Sequence, residues 1–114
     1  MAIAKYKSAM GNGRIGVNVI IVSEMFHQLR RIFGNAMAQY KLHALLSSPA
    51  VDFLDVNKDT AVRALKLARD FNLRINDALI AQQAIELGAQ ILTDDVKDFG
   101  RIGALRIIPM RPSA

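Results

Sequence analysis

Apolar residues recur along this chain with two periods, and the switches between them mark its elements. Residues 72–100, NLRINDALIAQQAIELGAQILTDDVKDFG, show both periods in succession. Ile80, Ala84 and Leu87 fall at i, i+4 and i+7, with Ala81 and Ile85 widening the stripe, which predicts an amphipathic helix. Asn76 is the expected N-cap, putting Asp77 in the first turn, where a carboxylate suits the helix dipole. Gly88 is the expected stop. Ile91 and Leu92 then predict a short buried strand, followed by Thr93, Asp94, Asp95 and, a turn later, Asp98.

The same two periods recur over the rest of the chain. Ile3, Tyr6 and Met10 at i, i+3 and i+7 predict a short helix within residues 1–10. Residues 11–16 match G-x-G-x-x-G, but the dinucleotide fingerprint needs a strand before it and an acid about 20 residues after it. Neither is predicted, so the segment reads as a connector. Asn18 should cap a helix running to Phe33, with Val22, Phe26, Leu29 and Phe33 on one face and Gly34 closing it. A helix over 36–46 follows, and then residues 51–56 alternate like a half-buried strand, with Asp52 and Asp55 facing solvent. Asp59 and Thr60 open a further helix whose packing face is Ala61, Leu65 and Ala68, flanked by Arg63, Lys66 and Arg69. Residues 105–108 read as a last strand. Helices alternating with short apolar strands define an α/β protein.

At 114 residues, with 52% hydrophobic and 22% charged content, the chain is expected to fold as a single domain spanning 1–114. Its longest apolar run, residues 17–22, is interrupted by Asn18 and far too short for a membrane span. With no cysteine, disulfide frameworks and thiolate metal sites are excluded, and a reducing, cytoplasmic location is expected. His27 and His43 are too isolated from other ligands to suggest zinc. The net charge of +5 points to polyanions, RNA foremost. No acid precedes Glu24, and four of the ten lie within residues 77–98 apart from Glu86. A basic surface around a small acidic hole is what a metal-dependent nuclease needs.

Ligands of open α/β sheets gather beyond the carboxyl ends of the strands, where this acidic cluster falls. Crowded carboxylates repel one another unless a cation sits between them or some remain protonated. Mg²⁺ and Mn²⁺ take oxygen ligands and need few carboxylates, with water and phosphate oxygens completing the shell. No Ser-His or Cys-His arrangement suggests covalent catalysis.

The segments N-D-A-L-I-A, G-A-x-I-L-T-D-D-V-K-D-F-G-R-I and L-R-I-I-P resemble the C-terminal half of a PIN-domain ribonuclease, in particular the toxin of bacterial VapBC-type toxin–antitoxin pairs. V-S-E-x-F-x-x-L-R-R, residues 22–31, resembles the PIN helix that donates the second acid. The resemblance implies a three-layer α/β/α sandwich with a mainly parallel sheet, N-terminally truncated. It implies Mg²⁺ or Mn²⁺ held by Glu24, Asp77 and Asp95, with Asp98 as a further ligand or a partner of the ligands. Thr93 and Asp94 would support them, Thr93 by a hydrogen bond to a ligand carboxylate or to the water. Arg30 and Arg31 end their helix, where its dipole favours cations, and could also contact phosphate. The implied partners are an RNA substrate, a cognate antitoxin and a second copy in a homodimer.

One part of the family pattern is missing. PIN domains open with a buried strand ending in D-T/S-N, whose Asp is the first metal ligand, and nothing before Glu24 is acidic. The metal is therefore expected to lose one carboxylate, giving poor retention and weak cleavage. The sheet is expected to lose a central strand, leaving open edges that favour self-association. The rival to the nuclease is thus a catalytically dead PIN fragment that binds RNA, an antitoxin or itself. A receiver-like domain ranks lower, because its acid pair should come early in the chain.

Overall fold

A strand that runs against all its neighbours holds the middle of the sheet. The computed structural model describes residues 2–7, 13–93 and 96–109, the first of these segments as backbone. β1 (Ala2–Lys7) lies between β2 (Gly13–Val17) and β4 (Gln90–Thr93) and is antiparallel to both. β3 (Val51–Phe53) extends the sheet beyond β2, and β5 (Arg106–Pro109) extends it beyond β4, each in parallel. The order is β3-β2-β1-β4-β5, so four of the five strands point one way and β1 points the other. This is the α/β, mainly parallel sheet that the alternation of elements implied.

Two expectations fail at the amino end. Residues 2–7 form a strand where a helix was expected, and the centre of the sheet is filled, not lost. Residues 13–16 belong to β2, not to a connector. The physical reason is shared: AIAKYK satisfies a period of two as readily as one of three and a half. A slot with backbone donors and acceptors on both sides decides for the strand.

The helices follow their caps. In α1 (Val19–Phe33), the Asn18 side chain accepts from the Ile21 N–H at 3.0 Å. Gly34, at φ 83° and ψ 171°, separates α1 from α2 (Asn35–Leu46), a backbone conformation that L side chains avoid. Asn57 caps α3 (Lys58–Phe71) through Thr60, and Asn72 in the left-handed region ends it. The inward face of α3 is centred on Thr60, Ala64, Leu67 and Phe71; of the residues expected there, Ala61 and Ala68 are half-buried, but Leu65 is 61% exposed. α4 (Ile75–Leu87) begins one residue before Asn76, after Arg74, and stops at Gly88 in the left-handed region. The fifth helix is the single turn α5 (Val96–Phe99).

Asp52 is half-buried rather than solvent-facing. It receives the Arg14 guanidinium at 2.7 Å from Nε and 2.5 Å from Nη2, tying β3 to β2. Asp55 is exposed, beyond the end of the strand. Val17, Ile21, Met25, Leu42, Ile80, Ala81, Ala84, Ile91, Phe99, Ile102 and Leu105 form the core. It lies where α1 and α4 meet the sheet. Burying each large aliphatic chain there contributes about 1.5–3 kcal/mol.

Candidate functional site at the carboxyl edge of the sheet

The edge at which β2, β3, β4 and β5 end is where the sequence-predicted acids should gather. β4 ends in Thr93, which is fully buried. α4 joins β4 through Gly88 and Ala89 alone, so it runs back along the sheet and its first turn lies toward that edge. Asp77 occupies this turn and is 7% exposed, the only acid in the buried set of the described residues. Arg74 contacts it from Nε at 3.3 Å, but that side chain is 81% exposed.

Glu24 lies on α1, whose N-cap directly follows the carboxyl end of β2, and is half-buried beside the inward face formed by Ile21 and Met25. α1 packs against α4, so the structure brings the helices bearing Glu24 and Asp77 into contact. Asp98 sits on α5, half-exposed, with Arg101 Nη2 at 3.4 Å. Asp94 and Asp95 lie outside the described residues. Arg30 and Arg31 occupy the exposed last turn of α1, as expected. Phe33, expected on the packing face, is 49% exposed with the Lys41 ammonium 4.7 Å from its ring centre. The donor set is all oxygen, which fits a hard divalent cation. Among the described residues, however, no three acids or histidines converge closely enough to hold a metal ion.

Behind this edge runs a buried polar chain that the sequence reading missed. Asn18 Nδ2 donates to Gln83 Oε1 at 2.9 Å, and Gln83 Nε2 donates to the Asp55 carbonyl at 3.0 Å. The chain ties the β2–α1 junction, the middle of α4 and the β3–α3 loop together, with each amide satisfied. One turn further on, Glu86 takes Arg63 Nη2 at 2.6 Å, and Thr60 Oγ1 lies 2.9 Å from its nearer oxygen. Desolvation alone would raise the Glu86 carboxyl. The hydrogen bonds from Arg63 and Thr60 and the charge of Arg63 outweigh it and hold the group below its ordinary value. The available signal was a polar residue inside an apolar face: Gln83 follows Ile80 by one turn on the inward side of α4.

Residues 2–105 match the PIN domain family model, and the chain belongs to that family. PIN domains are, as a class, nucleases that typically use divalent metals. Among solved structures, the chain is similar to DNA-bound VapBC from Salmonella typhimurium, with a TM-score of 0.70 and 17% identity over 84% of this chain and 75% of that one. It is also similar to VapBC2 from Rickettsia felis bound to a DNA fragment from its promoter. That match has a TM-score of 0.63 and 24% identity over 82% of this chain and 73% of that one. At these identities the likeness establishes the fold. No curated protein matches the chain significantly in sequence.

Proposed function

We propose that this chain is a Mg²⁺- or Mn²⁺-dependent endoribonuclease of the VapC toxin type, with Glu24, Asp77 and Asp95 as the acids that hold the ion. The observation that carries the reading is Asp77: a buried carboxylate in the first turn of a helix, faced by an exposed arginine. A carboxylate held at this edge, beside the helix that bears Glu24, is placed to share a hard divalent cation. A bound divalent ion would supply charge neutralisation at the scissile phosphate and a water acidic enough to attack it. Asp77 and Glu24 fix the position of that chemistry from two helices packed together. Asp98 serves as a further acid, Thr93 donates a hydrogen bond to a ligand carboxylate or to the water, Asp94 adds a supporting acid behind the ligands, and Arg30 and Arg31 offer charge to the RNA backbone. The proposed partners are RNA as substrate, a small cognate antitoxin and a second copy of the chain, in the cytoplasm.

The reversed central strand favours a second reading, an inactive PIN module that binds RNA, antitoxin or itself. Ala2 pairs with Thr93, so the amino end of β1 lies at the edge where the family carries its first acid. Cleavage by this chain alone is therefore expected to be weak. The test is a Mn²⁺-dependent thermal shift together with RNA cleavage, for the unaltered chain and for Asp77→Asn. A shift and slow cleavage, both lost in the variant, support the nuclease; a shift without cleavage supports the second reading. No shift in the unaltered chain overturns the metal site.

A further inference from the structure

The face of α1 that carries Glu24 continues past it. Glu24, Gln28 and Arg31 recur at i, i+4 and i+7, so they share one stripe of the helix, beside the buried face of Ile21 and Met25. At 1.5 Å per residue, Arg31 stands roughly 10 Å along the axis from Glu24. Gln28, Arg31 and Ile32 line an open groove of about 370 Å³ that begins one turn beyond Glu24. Among the described residues, Arg31 makes neither an ion pair nor a hydrogen bond. No acid occurs between Glu24 and Asp52, while Arg30, Arg31 and Lys41 add three cations over the same stretch.

We infer that this groove is a backbone subsite for single-stranded RNA, with Arg31 on a phosphate and Gln28 on the adjoining sugar or phosphate, a nucleotide or two from the Glu24 site. A guanidinium in this place can grip a phosphate by two parallel hydrogen bonds, and Gln28 offers both a donor and an acceptor. Ile32, 72% exposed and lining the same groove, gives a base an apolar surface to cover. The stripe leads toward the acid on α1, so it orients the strand relative to the site as well as attracting it. The location of the subsite stands on α1 alone; its catalytic meaning rests on the nuclease reading above.

The test is fluorescence anisotropy of a short labelled oligouridine in the presence of EDTA, so that binding is read without metal or cleavage. Arg31→Ala is expected to weaken binding roughly fivefold at low salt and to reduce the slope of log K against log salt by about 1, the signature of one lost phosphate contact. Gln28→Ala should weaken it less, Arg31→Lys should restore part of the affinity, and Arg69→Ala on α3 should change nothing. Unchanged affinity in Arg31→Ala, or no oligouridine binding by the unaltered chain, overturns the subsite. So does equal competition by poly-glutamate at matched charge, which would mark the groove as a surface for acidic protein. Metal binding and cleavage that fail while this pattern holds would overturn the nuclease reading and leave the subsite standing.

Discussion

α4 and α2 are helices of nearly equal length with opposite surroundings. Six of the thirteen residues of α4 are buried, including Asp77 and Gln83, because sheet, α1 and α3 enclose it. α2 buries Ala38 and Leu42 from twelve and leaves Met37 and Tyr40 in solvent. The difference teaches that this small domain concentrates its core around α4 and leaves the outer face of α2 in solvent. A buried carboxylate needs rigid surroundings, and these are found around α4.

Substitutions from the buried face of α4, through its rim, to the exposed end of α1 sharpen that contrast. Ile80→Ala, within the core beside Asp77, is expected to cost about 2–5 kcal/mol of unfolding free energy, measured by urea denaturation. A loss below about 1 kcal/mol would mean that the core yields around α4. Glu86→Gln probes the tie between α3 and α4. Because the folded Glu86 carboxyl titrates below its ordinary value of 4.5, its ion pair contributes stability above that pH and loses it as pH falls through the folded value. Melting temperatures should therefore fall less steeply below about pH 4.5 in the variant than in the unaltered chain, and parallel acid profiles would contradict the tie. Ile32→Ser, in the exposed last turn of α1, should change stability by less than about 0.5 kcal/mol.

The sequence reading succeeded where local patterns and tertiary environment agree. The body of α4, its left-handed stop at Gly88 and the strand through Ile91 and Leu92 follow from period and C-capping chemistry, whereas the helix starts at Ile75 without the expected Asn76 cap; the family resemblance lay in those same residues. It failed where partners distant in sequence decide. Ala2–Lys7 is a strand because β2 and β4 flank it, and nothing in AIAKYK encodes that neighbourhood. Asn18 was legible as a cap through Ile21, three residues away, but not as the partner of Gln83, sixty-five residues away. Leu65 misled because α3 is apolar on two sides, and only the position of α4 selects Ala64 and Leu67 as the inward pair.

The direction of β1 also sets an order of assembly. Its pairing with β2 closes through a short connection, whereas Ala4 must wait for Ile91, most of the chain away, to gain its other neighbour. Contacts that span such a loop form late, since the entropy of closure comes before any reward. During synthesis β1 and β2 therefore emerge with both outer flanks bare; β3 can cover that of β2 once residues 51–53 are made, but that of β1 stays open until residues 90–93 leave the ribosome. For that interval the centre of the finished sheet is an edge, open to whatever extended peptide reaches it first.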